Sequence, residues 1–258
     1  MIRFKNFPVL FIYLVLSFYP VIAHSGEALF QYSTIDALLV GDYDGQLTCG
    51  DLKKEGTLGL GTFNSLDGEM VVLGGKVYQV KVDGKVTQAP DNGRIPFAVV
   101  TTFSPQKFVP LKKAGNFKEL TALIDQNLPT KNIFYAIKIE GRFSRVKARS
   151  VPRQTRPYPP LAQAVEKQAV FNFKDVEGTI LGFRCPVYIK GVNVPGYHLH
   201  FLTKDRRAGG HVLDCSLKNV TVQIDPIHQF TLVLPKDKDF YRLDLDKDKS
   251  KELKKVEK

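Results

Sequence analysis

The sequence predicts an α+β protein of two mainly β halves, with few helices. Three observations carry that prediction. Short runs rich in Val, Ile, Phe, Tyr and Thr recur throughout the chain, separated by Gly, Asp and Pro. Helical periodicity is confined to a few short windows. A stretch with four prolines, VPRQTRPYPP at 151–160, separates two strand-rich regions. At 258 residues the chain can bury one large core or two modest ones.

Taken in order, residues 1–23 form a leader of a different character. Arg3 and Lys5 precede an almost wholly apolar run that ends at Val21-Ile22-Ala23 before polar His24-Ser25. This is the pattern of an export signal with Ala23 at the cleavage point, and a membrane anchor is the rival reading. Export implies a secreted or periplasmic mature chain, with no stable membrane insertion once the signal is removed. Residues 24–155 then read as an N-terminal α+β domain. Ser33 caps a short helix through Leu39, with Asp36 three residues on. Turns at Leu66-Asp67-Gly68, Leu73-Gly74-Gly75 and Asp83-Gly84 punctuate an antiparallel meander. Gly59 and Gly61 suit close backbone approach, since no GxGxxG surrounds them. Residues 96–103 are a strand. Asn116 begins a helix with Phe117, Leu120, Leu123 and Ile124 on its apolar face. Strands 132–140 and 143–150 join at Gly141. Alternation on the second puts Phe143, Arg145, Lys147 and Arg149 on one basic face.

Residues 156–240 read as a β-rich C-terminal domain. A short helix, LAQAVEKQ, leads into strands at 169–175, 178–184, 187–190, 197–203, 210–223 and 227–234. Residues 241–258 form a charged tail with a final helix at about 248–257.

The formal charge is +11, and +9 without Arg3 and Lys5. Such a balance attracts anionic small molecules or acidic surfaces. Nucleic acid is disfavoured, because no aromatic-interleaved basic motif or helix-turn-helix is present. Three scattered cysteines, Cys49, Cys185 and Cys215, are too few for a disulfide framework.

The chemistry concentrates in YHLHFLTKDRRAGGHVLD, residues 197–214, which holds three of the five histidines. His198 and His200 share one face of a strand, and a turn returns the chain so that His211 can stand beside them. Three convergent imidazoles with an open position match a catalytic zinc site, whereas a structural zinc is closed by four protein ligands. Glu69, before an apolar strand, and Arg149, a rigid five-donor fork, are further candidates; for each, a solvated edge or face is the plain alternative. Asp205 and Asp214 read either as partners of imidazole N–H groups or as turn and strand-end residues. His228 reads as structural, with a fourth ligand as the alternative.

Together these blocks resemble the alpha-acetolactate decarboxylase family: FQYSTIDALLVGDYDG, GLGTFNSLDGEM, PFAVVTTF, RSVPRQTRPYPPL, VEGTILGFRCP and VPGYHLHFLTKDRRAGGHVLDC, in family order from about Phe30 to the C-terminus. The resemblance implies an α+β fold of two mainly β domains with mixed or antiparallel sheets and a tail that folds back to the metal site. It further implies a homodimer and one zinc per subunit. The implied reaction converts the small-molecule substrate 2-acetolactate to (R)-acetoin and carbon dioxide through an enediolate. By the same resemblance His198, His200 and His211 are zinc ligands and Glu69, Arg149 and Glu257 are catalytic. Thr62 and Arg149 contact substrate. Glu252, on the same charged segment, is the alternative to Glu257. The rivals are an exported zinc hydrolase or a cupin-like enzyme, and a non-enzymatic binding module. Lys204 and Asp205 stand where a cupin would place its glutamate.

Overall fold

The structure, a computed structural model, describes Met1 and residues 28–257, so all but the first residue of the leader expected at 1–23 lies outside the described residues. The first half supplies β1 (Ala28–Tyr32), β2 (Leu47–Thr48), β3 (Leu58–Thr62), β4 (Glu69–Leu73), β5 (Lys76–Val80), β6 (Val86–Gln88), β7 (Arg94–Ile95) and β8 (Ala98–Thr101). Then come β9 (Lys107–Ala114), β10 (Phe134–Ser150), β11 (Ala169–Cys185), β12 (Gly196–Thr203), β13 (Gly209–Ile227) and β14 (Gln229–Val233). The helices are α1 (Ile35–Leu39), α2 (Cys49–Glu55), α3 (Phe117–Asp125), α4 (Leu161–Ala164), α5 (Lys238–Tyr241) and α6 (Ser250–Val256). None of the described helices is long and apolar enough to cross a membrane.

Two large sheets organise these elements, and β2 pairs with β7 in a small third one. A mixed seven-stranded sheet runs β14-β1-β8-β3-β4-β5-β6, its one parallel pair being β1 with β14. An antiparallel five-stranded sheet runs β10-β11-β12-β13-β9. Strand β10 also pairs with β13, so the second sheet curls round on itself. The sheets change over at residues 102–106. The strands flanking 151–160, β10 and β11, pair from Tyr135–Arg184 to Ser150–Ala169.

Side-chain alternation explains the layering. Leu60, Val71, Val80 and Val99 project from the first sheet onto Ala136, Leu181, Phe183 and Leu202 of the second, forming a dry central core. The reverse faces pack elsewhere: Leu199, Phe201 and Ile137 with Leu120 and Ile124 of α3, and Met70, Val72 and Val100 with Leu52 of α2. Gly59 and Gly61 do serve close approach. A Cβ on either would stand 2.2 or 2.3 Å from the carbonyl oxygens of Val99 and Phe97.

Several local expectations are corrected. Thr34, not Ser33, caps α1, its Oγ1 accepting from the Ala37 N–H, while Ser33 is left-handed at φ 63°. Helix α2, capped by Thr48, is additional to the expected elements. The strand expected at 187–190 is a 3-10 turn at Val187–Ile189, following Pro186, which lacks an N–H for a ladder. Strands 132–140 and 143–150 are one strand through Gly141. Its alternation breaks at register shifts between Phe143 and Arg145 and between Lys147 and Ala148. Phe143 therefore enters the α3-side core with Val146, and the basic face is not continuous. Helix α3, capped by Asn116, and helix α6 fall where expected.

Candidate metal centre

The site grows from the pairing of three strands. In β12, His198, His200 and Leu202 share the face turned to the central core, so the HxH spacing aims both imidazoles between the sheets. Across the ladder His200 pairs with His211 of β13, and His211 pairs with Arg149 of β10. Directly paired residues have neighbouring Cβ atoms, so three functional side chains stand at one level of the sheet. Gly210 makes this possible. Its φ is +138°, and a Cβ there would lie 2.3 Å from the Arg149 carbonyl oxygen.

The three imidazoles are buried, with ring centroids 5.0–5.3 Å apart. One nitrogen of each lies within 4.8 Å of the others, and His211 Nδ1 is 3.2 Å from His198 Nε2. His200 Nδ1 lies 2.7 Å from the Met70 carbonyl oxygen. A carbonyl only accepts, so Nδ1 carries the proton and Nε2 keeps a free lone pair. That Nε2 is buried without a hydrogen-bond partner, as is His198 Nδ1. Burial and the nearby Arg149 charge push His198 down to about 3. Burial is also the main cause holding His200 and His211 well below the ordinary value. All three are therefore neutral at physiological pH, the form in which imidazole binds metal. Buried lone pairs with a backbone-oriented ring fit a transition metal of zinc's kind.

Two carboxylates approach from elsewhere. Glu69, the first residue of β4, brings Oε2 to 3.7 Å from His200 Nε2. Glu257, at the end of α6, brings Oε2 to 3.8 Å from His211 Nε2. Helix α6 is held by Leu253 and Val256, which enter the central core. Burial raises Glu69 to about 7, opposed by Arg149 and reinforced by Glu257. Burial raises Glu257 to about 7 as well, again opposed by Arg149. Each acid can thus hold or release a proton near neutrality.

Arg149 is buried, its Nε without a partner and its Nη1 donating to Gln168 Oε1 at 3.1 Å. Thr62, opposite Glu69 in the β3–β4 ladder, donates its hydroxyl to the Gly68 carbonyl oxygen at 2.7 Å. Its lone pairs remain for a donor in the cavity. Ile35, Leu38, Leu66, Phe97, Val151 and Leu161 line the rest of that cavity.

All residues expected at the site thus line one cavity. Glu257 is the tail acid at the cluster, whereas Glu252 is exposed. His228 is exposed and outside the cluster. Asp205 organises its own turn, accepting from Thr203 and the Arg207 N–H. Asp214 accepts from the Phe117 N–H and pairs with Arg145. The imidazole-orienting group is instead the Met70 carbonyl, a backbone atom that no side-chain pattern announces. Gln168 also escaped the sequence reading; its type and position carry no motif. The three cysteines are buried and unpaired.

Known proteins resemble this chain over most of its length. Residues 29–247 match the family model described as alpha-acetolactate decarboxylase. The alpha-acetolactate decarboxylase of Methanosarcina mazei is 50% identical over 235 residues, covering 91% of this chain and 82% of that protein. That of Brevibacillus brevis is 48% identical, covering 85% and 77%. The crystal structure of alpha-acetolactate decarboxylase from Bacillus subtilis strain 168 superposes with a TM-score of 0.87 at 39% identity, covering 89% of this chain and 99% of that one.

Proposed function

The chain belongs to the alpha-acetolactate decarboxylase family, and we propose that it catalyses zinc-dependent decarboxylation of (S)-2-acetolactate to (R)-acetoin and carbon dioxide. The observation that carries this reading is the convergence of His198, His200 and His211 with two carboxyl groups and one arginine in a single buried cavity. His198, His200 and His211 are the residues that would hold the metal. A zinc ion held there would supply Lewis acidity for the negative charge that carbon–carbon cleavage releases onto the substrate's oxygen atoms.

The chain's own groups divide the remaining work. Arg149 pairs with the substrate carboxylate and orients the bond to be broken. With its hydroxyl proton committed to Gly68, Thr62 offers the substrate only acceptor lone pairs. The apolar side chains of Ile35, Leu38, Phe97 and Leu161 exclude water, which strengthens each of these interactions. After carbon dioxide departs, the enediolate needs one proton on one face. Glu69 and Glu257, both raised by burial to about 7, are the acids within reach. One delivers that proton to carbon. The other, as carboxylate, takes the proton of the substrate hydroxyl during cleavage and returns it to the product oxygen, so the net uptake is the single proton that replaces carbon dioxide.

Export through the 1–23 leader and assembly as a homodimer belong to the same proposal. The test is an acetoin assay with metal analysis on the purified mature chain. Stoichiometric zinc and turnover that disappears on chelation and returns with zinc support the reading. Full turnover in a metal-free preparation refutes it.

A further inference from the structure

We propose that Gln168 is a positioning residue for Arg149, orienting the guanidinium toward the substrate carboxylate without neutralising it. The inference rests on the decarboxylase reading above. Arg149 is 5% exposed, and its Nη1 donates to Gln168 Oε1 at 3.1 Å. Its Nε is buried without a partner, and no carboxylate lies within ion-pair distance of the guanidinium among the described residues. A buried arginine is ordinarily paired with an acid. Here its side-chain hydrogen-bond partner is a neutral amide, and the Glu69 and Glu257 carboxyls, beyond ion-pair distance, feel its charge through space.

The placement is built into the ladder. Arg149 pairs with Val170 and Ser150 with Ala169, so Gln168 immediately precedes the first paired residue of β11. Its backbone is anchored by donation from its N–H to the Val165 carbonyl oxygen. Gln168 lies outside the residues that line the cavity and contacts the Arg149 Nη1 without entering it. Arginine has donors only, so the amide must present its oxygen. That oxygen fixes one arm of the fork and leaves the positive charge available to an incoming carboxylate. A glutamate of the same length would form an ion pair with Arg149 and compete with the substrate for it.

The test compares zinc-loaded Gln168→Glu and Gln168→Met with the parent protein. Four quantities are measured: kcat and KM for 2-acetolactate, and inhibition constants for a carboxylate probe, 2-hydroxy-2-methylbutanoate, and a neutral probe, butane-2,3-diol. Gln168→Glu is expected to raise KM and the inhibition constant of the carboxylate probe about tenfold or more, with zinc content and diol inhibition unchanged. Gln168→Met, which removes the acceptor without adding charge, is expected to lower kcat/KM roughly threefold to tenfold with the same selectivity between probes. If Gln168→Glu does not fold, the Met variant decides by that selectivity. Equal weakening of both probes, or an unchanged carboxylate constant, overturns the proposal. A parent protein that binds the carboxylate probe by calorimetry but does not turn over 2-acetolactate refutes the decarboxylase reading alone. Dissociation constants of the two probes, measured by the same calorimetry, then take the place of inhibition constants and still test Gln168.

Discussion

The two sheets contribute unlike chemistry to the same seam. The five-stranded sheet supplies His198, His200, His211 and Arg149 from three adjacent strands, with Arg149, His211 and His200 in direct register. The seven-stranded sheet supplies Glu69 and Thr62 from one hairpin, and α6 adds Glu257. The imidazoles are thus set by ladder hydrogen bonds, whereas the two acids reach them by packing across the central core. On the proposed function, the metal-holding imidazoles come from one sheet, with His200 oriented by the Met70 carbonyl of the other, whereas proton transfer depends on how the layers meet.

The sharpest way to break that division is to remove a ligand from the five-stranded sheet. His200→Ala should lose stoichiometric zinc and lower acetoin formation by roughly three orders of magnitude or more. Zinc retention at wild-type stoichiometry in that variant would show that the triad is not the metal-binding unit.

Removing an acid should instead spare the metal. Glu257→Gln is expected to lower kcat about a hundredfold with zinc content unchanged. Zinc loss there would place Glu257 among the ligands and blur the distinction between ladder and tail. A wild-type rate would leave proton delivery to Glu69 alone.

This asymmetry also explains what could be read without coordinates. The imidazoles were legible because the HxH period and the turn before His211 are local, and strand geometry converts both directly into direction. Glu69, Arg149 and Glu257 gained their roles from family resemblance, since no local period ties residues so far apart. Alternation failed on β10, where register shifts put Phe143 and Val146 in one core despite their opposite parity. It failed again at 187–190, where apolar Val and Ile suggested a strand but Pro186 opens a 3-10 turn. Met70 and Gln168 were invisible for another reason. One acts through its carbonyl, and the other is an ordinary polar residue whose partner is set by the β10–β11 register.

The tail's packing gives an intermediate effect. Leu253 and Val256 anchor α6 in the central core. Leu253→Ala should weaken that anchor by about 2 kcal/mol, with global stability changing less because α6 is terminal. Since Glu257 is carried on the same helix, kcat should fall about tenfold with zinc retained, a smaller loss than removing the carboxyl. An unchanged kcat would mean that Glu257 is held independently of α6.

The smallest effect asks whether buried acids are costly only at the seam. Asp42, 9% exposed and away from the histidines, is raised to about 6 by burial first and then by Asp237, Asp239 and Asp44, with Arg156 opposing. A carboxyl whose folded value exceeds its ordinary 3.8 binds protons more readily when folded, so folding stability falls as pH rises from below 3.8 to above 6. Asp42→Asn should therefore stabilise the fold at pH 7 to 8 by on the order of 1–2 kcal/mol, with the relative gain shrinking as pH falls toward 4. Kinetic constants for acetolactate should not move. Denaturant unfolding of both proteins across that pH range provides the measurement. A gain independent of pH would trace it to packing rather than charge, and would leave the two seam acids as the site's distinct case of burial tuned for proton transfer.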